Sequence, residues 1–418
     1  MIQIHRMGSE LSFGPCPPEE FSGRLDERKK LYEVLRGAKD RGRVVMVSGG
    51  RGSGKSSFLD WAESEIQNES GEFKCPAIKV QFLETPGMVF TAYRDLLTDL
   101  KGHQKFGWFR KSLENSKVRT SIDAALTILE KTSSLAALYT PGVNAGVAVA
   151  KGLTSSDSFD YTKLISAFLH IFRSVSEDLA ERDQFFAILL DDVQLSSDTD
   201  FRLMNDLIQS LPVGIVLITA FRREADYYEK HAKLQGELLR YDHTEIVLGG
   251  MDEAGVEEFA KLRYNLSIDD KTAKHLSEKI GDPLCLVGCF NRLQNRGLPP
   301  TLESFQEILP QCLDHAQCLY TGLDQIWQDR INSLCILDPP LFLSIISCML
   351  GEKNITRLKD EFDQSHVFRR LDREKYEFAH PSLREYRRKE LPESAIIELS
   401  KRAVNCVEHL KTKMGTET

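Results

Sequence analysis

The chain has 418 residues, of which 41% are hydrophobic and 28% are charged, and its formal net charge is −8. This composition is typical of a soluble protein with about two to four domains, and no apolar run is long enough to span a bilayer. The net negative charge disfavours a protein that coats nucleic acid over its whole surface, although a local basic patch is compatible with it. Because the N-terminus lacks the apolar centre of a secretory signal, we expect a cytoplasmic protein without a membrane partner.

The nine cysteines are odd in number and scattered along the chain. This pattern favours reduced, mostly buried thiols over a framework of disulfides. Cys285 and Cys289 have the spacing of one helix face. No second ligand pair of zinc spacing follows them, so we expect both to pack in a core rather than to bind metal.

The first half of the chain alternates between strand-like and helix-like segments. Residues 1–20 have little periodicity and predict a tail, and helical spacing follows from Leu25 to Lys39 and again from Val89 to Leu100. Short apolar runs typical of strands occupy residues 43–48, 77–82, 185–190 and 214–219. Such strands, separated by helices, are typical of a parallel sheet that is buried on both faces. The sequence therefore predicts an α/β domain over residues 21–248.

One segment inside this domain has an unusual composition. Small apolar residues dominate residues 117–157, with Pro141 and Asn144 among the interruptions. The segment is too short and too interrupted to span a membrane, so we expect a packed or self-assembling insertion.

The second half of the chain is predominantly helical. Residues 249–310 predict a small all-α lid domain whose helices are interrupted at Gly281, Asp282 and Pro283. Residues 311–418 contain further amphipathic helices, two short apolar-polar runs around a charged turn at 372–375, and a last helix from about Glu393. The paired runs suggest the β-hairpin of a winged helix, so we expect a winged-helix and C-terminal helical domain.

A phosphate-binding loop follows the strand at residues 43–48. The pattern G-x-x-x-x-G-K-[ST] is matched by Gly49, Gly50, Arg51, Gly52, Ser53, Gly54, Lys55 and Ser56. Its glycines let backbone N–H groups point at phosphate oxygens, and the start of the next helix adds favourable potential there. Lys55 would reach the β- and γ-phosphates, Ser56 would hold Mg²⁺, and Ser57 would complete the nucleotide contacts. The eight matching positions and their flanks predict a P-loop NTPase, with a parallel sheet flanked by helices.

Two carboxylates follow the buried strand at residues 185–190. In P-loop enzymes the first acid after such a strand assists Mg²⁺ and its neighbour polarises the attacking water. We assign these roles to Asp191 and Asp192. Because aspartate is shorter than the glutamate of many fast ATPases, hydrolysis is expected to be slow.

The next strand carries polar residues toward the expected γ-phosphate. Thr219 and Arg222 are the candidates. Arg222 could act as an arginine finger, in the same chain or toward a neighbouring subunit, by offsetting charge in the transition state. A solvated basic turn is the alternative.

The segment Phe21-Ser22-Gly23-Arg24-Leu25-Asp26-Glu27 resembles the F-x-G-R-x-x-E box of AAA-type and STAND-type ATPases. The order of this box, the phosphate loop, the Asp-Asp strand, the helical lid and the winged helix is similar to that of the STAND group over about residues 21 to 390. The resemblance implies that Arg24 lies along the nucleotide base. It also implies that Pro283 packs on the adenine and that His380 contacts the β-phosphate of ADP.

This resemblance implies a nucleotide-controlled switch that forms homo-oligomers with ATP and Mg²⁺ and is closed by ADP. STAND proteins usually carry a sensor and an effector domain, and here about 28 residues follow Glu390. We therefore expect an effector or sensor in trans, and the group suggests signalling or antiviral defence. The alternative is a DNA-handling ATPase similar to origin-recognition initiators or transposition regulators, supported by the basic cluster Arg384, Arg387, Arg388 and Lys389. A phosphate-loop kinase is disfavoured, since it would leave the lid and the winged helix without a role.

Overall fold

The structure is a computed structural model. It describes residues 15–82, 90–102, 115–137, 161–223, 228–238, 241, 243–311, 315–365, 367–370, 374–378 and 381–415. The chain forms two compact units. Residues 17–19 and 24–249 form the first unit, whereas the second consists mainly of residues 20–23 and 250–418.

The first unit contains a five-stranded parallel sheet flanked by helices. Its strands are β1 (Arg43–Gly49), β2 (Ala77–Gln81), β3 (Phe186–Asp191), β4 (Ile215–Arg222) and β5 (His243–Leu248). Its helices are α1 (Leu25–Arg36), α2 (Lys55–Gln67), α3 (Thr91–Gly102), α4 (Ser116–Ala137), α5 (Tyr161–Ala180), α6 (Asp198–Gln209) and α7 (Tyr228–Leu238). The strand order is β2-β3-β4-β1-β5, and every neighbouring pair is parallel. The predicted fold class is therefore confirmed.

Burial explains why these strands are so apolar. All six residues of β3 are buried, as are six of the seven residues of β1. Helices cover both faces of such a sheet, so no strand face needs polar residues for solvent. On one side the ring of Tyr93 packs edge-on against Phe82 and Phe168. Since all strands are parallel, their carboxyl ends lie at the same edge, which is where the predicted site residues occur.

The second unit is helical with one small antiparallel sheet. Its helices are α8 (Glu253–Tyr264), α9 (Asp270–Lys279), α10 (Pro283–Asn295), α11 (Leu302–Ile308), α12 (His315–Gly322), α13 (Gln325–Leu334), α14 (Leu343–Leu350), α15 (Ile355–Gln364), α16 (Pro381–Glu390) and α17 (Glu393–Gly415). Strands β6 (Leu341–Phe342), β7 (Phe368–Arg370) and β8 (Lys375–Phe378) form a sheet in the order β6-β8-β7. The predicted hairpin and the last helix are thus confirmed.

A single hydrophobic cluster runs through the second unit. It extends from Met251 on the helical side to Phe378 and Cys406 on the side of the antiparallel sheet. In its helical part Phe290 is fully buried, and its ring lies 5.0 Å from that of Tyr264 and 5.1 Å from that of Phe305. The boundary that we predicted near residue 310 stays a prediction.

Strand β5 was not predicted, because its polar residues at 243–245 mask the strand pattern. Reduced, mostly buried thiols were expected rather than a framework of disulfides, but Cys348 on α14 and Cys406 on α17 form a disulfide, with Cα atoms 5.8 Å apart. Cys285 and Cys289 are thiols buried in the core, as predicted. The predicted insertion begins as helix α4, and residues 138–160 lie outside the described residues. Within the described ranges, no helix has both the length and the apolar character needed to cross a membrane.

Candidate nucleotide site

The phosphate-binding loop connects the central strand β1 to α2. Gly52 and Gly54 adopt left-handed backbone conformations, with φ of 80° and 86°, which favour glycine. A Cβ at Gly49 would lie 2.5 Å from Ser53 Oγ and 2.6 Å from the carbonyl oxygen of Leu248. Gly54 precedes α2 and has no side chain that could cap it, so the first N–H groups of α2 point toward an anion site.

The Lys55 side chain turns back into this loop. Its Nζ donates hydrogen bonds to the carbonyl oxygens of Gly49 at 3.0 Å and Gly50 at 2.6 Å, and to Ser53 Oγ at 3.4 Å. Only 8% of the residue is exposed. The loop therefore surrounds a buried ammonium with its own backbone, at the position where the motif requires a cation for phosphate.

The structure brings Ser56 and Asp191 together, as the predicted Mg²⁺ site requires. The Ser56 hydroxyl lies beside the Asp191 carboxylate, which is 2% exposed at the end of β3, and it favours the charged form of that carboxylate. Burial raises the pKa of Asp191 above its ordinary value, the charge of Asp192 adds to this, and Lys79 and Ser56 oppose it. A carboxylate and a hydroxyl are the oxygen ligands that Mg²⁺ prefers.

These residues fit Mg²⁺ only as part of a ligand set. Among the described residues, no group of three or more His, Cys, Asp or Glu side chains could hold a metal ion alone. Mg²⁺ commonly binds through one or two carboxylates together with substrate phosphates and water. The oxygen atoms of the Ser56 hydroxyl and the Asp191 carboxylate match that arrangement.

Lys79 on β2 lies beside Asp191. Its Nζ is 3.4 Å from Asp191 Oδ2 and also donates to Asp60 Oδ1 on α2. Burial acts to lower the pKa of Lys79, but the charges of Asp191 and Asp60 outweigh it and the pKa is raised. Neither Lys79 nor Asp60 was predicted from the sequence.

Asp192 is held by three neighbouring side chains. Its backbone is left-handed, with φ of 53°. Gln81 Nε2 donates to Asp192 Oδ2 at 2.8 Å, and Gln194 Nε2 donates to Oδ1 at 2.7 Å. Arg222 Nη2 also donates to Oδ1, at 3.3 Å. Both carboxylate oxygens therefore already accept hydrogen bonds. Of the three donors, only Arg222 was predicted from the sequence.

Arg222 and Thr219 lie at different positions along β4. Arg222 is paired in register with Gly49 at the end of the strand, and its N–H donates to Gln194 Oε1. Thr219 is fully buried in mid-strand, and its hydroxyl donates to the carbonyl oxygen of Val45 at 3.3 Å. β4 continues three residues beyond Thr219. The predicted role of Thr219 near the γ-phosphate stays a prediction.

Arg24 contacts the loop backbone. Its Nη2 donates to the carbonyl oxygen of Ser53 at 3.1 Å and to that of Gly249, just after β5, at 2.6 Å. The side chain is 3% exposed, and Nη1 lies 3.6 Å from Glu27 Oε1. Arg24 thus fastens the phosphate loop to the end of β5. A contact with the nucleotide base stays a prediction.

A family of known domains matches this part of the chain. Residues 20–218 match the AAA ATPase domain family AAA_16. The chain carries an AAA-type P-loop ATPase domain. In this domain the half-buried Arg51 belongs to the loop, and the half-buried Ser57 lies in the first turn of α2.

Several solved structures of ATPases are similar to this chain. A Walker-type ATPase of Pyrococcus abyssi is 13% identical, with 90% of this chain and 99% of that chain covered and a TM-score of 0.39. A STAND protein with a tetratricopeptide repeat sensor from Pyrococcus horikoshii is 17% identical, with a TM-score of 0.41. There 94% of this chain is covered, and the chain spans 47% of that protein.

The ORC1 protein of Aeropyrum pernix, solved in complex with DNA, is 12% identical, with 92% and 96% of the two chains covered and a TM-score of 0.37. These low TM-scores carry no conclusion about activity. No curated protein sequence matches the chain.

Two predicted nucleotide contacts lie outside the AAA ATPase domain. Pro283 is the first residue of α10 in the second unit, where Asp282 Oδ1 caps the helix by accepting N–H groups of Leu284 and Cys285. His380 lies outside the described residues. The roles of Pro283 and His380 stay predictions.

Proposed function

We propose that the chain is a regulatory ATPase that binds ATP or ADP at Lys55, hydrolyses ATP slowly with Mg²⁺ at Ser56 and Asp191, and assembles according to the nucleotide. The observation that carries the proposal is the state of Asp192. Both of its carboxylate oxygens accept hydrogen bonds from neighbouring side chains.

Slow hydrolysis follows from these hydrogen bonds. To polarise an attacking water, the carboxylate of Asp192 has to compete with the protein donors that already draw on its charge. A hydrogen bond to a charged group contributes about 1.5–3 kcal/mol, and each 1.4 kcal/mol changes a rate about tenfold. Turnover should therefore be about 10- to 100-fold slower than with a carboxylate free to bind water.

Each of the other side chains of the site would have a separate role. The Lys55 ammonium would offset phosphate charge, and Asp191 and the Ser56 hydroxyl would orient the metal. Mg²⁺, when bound, would neutralise charge on the phosphates. Arg222, already hydrogen-bonded to Asp192, would control how freely that carboxylate can turn toward water.

Slow hydrolysis suits a switch, because the lifetime of bound ATP then sets how long the ATP-bound state lasts. Nucleotide can control assembly only if ATP and ADP bind two states of the protein with different free energies. We assign the ADP contact of the closed state to Pro283 and His380. The assembled form would be a homo-oligomer that acts on an effector or sensor in trans, in signalling or antiviral defence.

The first experiment combines hydrolysis with assembly. Lys55→Ala should abolish nucleotide binding, and Asp191→Ala should abolish Mg²⁺-dependent turnover, while Lys101→Ala, which removes an exposed ion pair with Asp123, should change neither. Sedimentation of the wild type with ATP and Mg²⁺ should show a larger species than with ADP. Normal turnover in both site variants, or a monomer under all nucleotides, would contradict the proposal.

The second experiment separates two roles for Arg222. If Arg222 restrains Asp192, Arg222→Ala should leave turnover unchanged or raise it. If it offsets charge in the transition state, turnover should fall by about 10³-fold or more. We expect the first result, because Arg222 donates a hydrogen bond to the Asp192 carboxylate.

DNA handling is the alternative function, and the basic cluster on α16 is its test. Arg384 is paired with Asp338, and Arg387 donates to Asn332 and stacks over Tyr320. Arg388 and Lys389 are more exposed. Duplex binding that weakens steeply with salt and with loss of Arg388 and Lys389 would favour DNA handling over the switch.

A further inference from the structure

Beside the carboxylate assigned to Mg²⁺, the protein holds a cation of its own. Lys79 has 17% of its side chain exposed, and its Nζ lies 3.4 Å from Asp191 Oδ2. The same Nζ donates to Asp60 Oδ1 and, at 3.5 Å, to the carbonyl oxygen of Ser56. One ammonium therefore bridges an acid of α2 and the acid at the end of β3.

Two of the acids around Lys79 lie on a single face of α2. Ser56, Asp60 and Glu63 are spaced by four and three residues, which places them on the same side of a helix. Glu63 Oε1 accepts the backbone N–H of Lys79 at 3.2 Å. Three carboxylates, those of Asp60, Glu63 and Asp191, thus surround Lys79.

Strand pairing fixes the position of Lys79. Residues two apart lie on the same face of a strand, so Lys79 and Gln81 project to the same side of β2. Gln81 is in register with Asp191 and donates to Asp192. The two polar residues of β2 therefore each contact one of the two adjacent carboxylates, and neither is a solvated surface residue.

We propose that Lys79 is a built-in counter-cation of the magnesium site, which neutralises Asp191 in the nucleotide-free protein and makes Mg²⁺ binding depend on nucleotide. The inference rests on the proposed function, since it takes Asp191 as a metal ligand. Without Lys79 the three carboxylates would attract a divalent cation directly. With Lys79 in place, the negative charge of the nucleotide phosphates is needed to restore that attraction.

The test measures metal affinity directly. Mg²⁺ is titrated calorimetrically into the nucleotide-free full chain, and ADP affinity is measured with and without Mg²⁺. Lys79→Met removes the charge and keeps most of the length of the side chain. It should tighten Mg²⁺ binding to the free protein at least about tenfold and reduce the Mg²⁺ dependence of ADP binding. Lys101→Met removes an exposed lysine paired with Asp123 and should change neither quantity.

A second variant predicts the opposite direction. Asp60→Asn removes the charge of one carboxylate partner of Lys79 and leaves Asp191 as the charged partner of its ammonium. Mg²⁺ binding to the free protein should therefore weaken, by about threefold or more, and ADP binding should depend more strongly on Mg²⁺. This variant keeps the inference testable if Lys79→Met does not fold.

The results that would overturn the inference differ from those that would overturn the proposed function. If Lys79→Met and Asp60→Asn leave both Mg²⁺ quantities within twofold of wild type while stability falls, the Lys79 ion pairs are purely structural. If Asp191→Asn leaves the Mg²⁺ dependence of ADP binding unchanged, the metal assignment itself is wrong. An effect of Asp191→Asn without an effect of Lys79→Met rejects only the role of Lys79.

Discussion

Replacing Arg24 by alanine should destabilise the first unit and the phosphate loop together. The guanidinium is 3% exposed and donates to two backbone carbonyls, at Ser53 within the loop and at Gly249 after β5. Hydrogen bonds to charged groups contribute about 1.5–3 kcal/mol each, and a buried acceptor that loses its donor keeps the cost of desolvation. Arg24→Ala should therefore lower the free energy of unfolding by about 3 kcal/mol or more.

The assay follows urea unfolding of the full chain by tryptophan fluorescence. A Trp327→Phe background removes the only tryptophan of the second unit, so the signal reports the first unit. Arg24→Lys should recover part of the loss, since an ammonium can donate to a carbonyl but cannot reproduce the geometry of the guanidinium. ADP binding should weaken as well, since Ser53 lies within the loop.

The matched control is Arg94→Ala. Arg94 is 40% exposed and lies 3.5 Å from Asp95, an arrangement that contributes less than about 1 kcal/mol. If Arg24→Ala unfolded within about 0.5 kcal/mol of this control, the two carbonyl contacts would not hold the loop and our reasoning would be wrong.

Three further changes probe other parts of the protein. Asp191→Asn should raise the melting temperature without nucleotide or Mg²⁺, because burial and Asp192 raise the pKa of Asp191 and disfavour its charged form in the fold. The gain should shrink as the pH falls through that raised pKa, where the wild-type carboxyl is neutral too; a pH-independent difference would contradict it. Cys348→Ser should cost about 4 kcal/mol in oxidising buffer and nothing in reducing buffer, since the disulfide closes a loop over a separation of 58 residues; equal unfolding curves in oxidising buffer would refute this. Phe290→Ala should cost about 3–5 kcal/mol in chemical denaturation, and Phe342→Ala, at a site 41% exposed, much less.

The local parts of the site could be predicted from sequence. The glycines, lysine and serine of the phosphate loop lie in one contiguous segment, so the sequence motif alone identifies them. The proximity of Ser56 and Asp191 was also predictable, because parallel strands end at a common edge of the sheet. The Ser56 hydroxyl does lie beside the Asp191 carboxylate, and the metal-binding role of the two residues stays a prediction.

The second layer of the site could not be predicted in the same way. Gln81, Gln194 and Lys79 belong to no motif, and their roles depend on strand register and on the turn after β3. The only signal was polar residues alternating along residues 77–82, which fits a strand with one solvated face equally well. The disulfide was missed because its cysteines are 58 residues apart and meet only through helix packing.

The charged side chains of the nucleotide site are paired with other groups of the protein, and this bears on how a switch could work. The Lys55 ammonium donates to loop carbonyls, Asp192 accepts from three side chains, and Lys79 bridges Asp60 and Asp191. Nucleotide and Mg²⁺ would therefore exchange partners with these groups, so the net binding free energy is a difference between two sets of charged contacts. A change in either set shifts that difference strongly. A site of this kind can be sensitive to one phosphate more or less without binding either nucleotide very tightly.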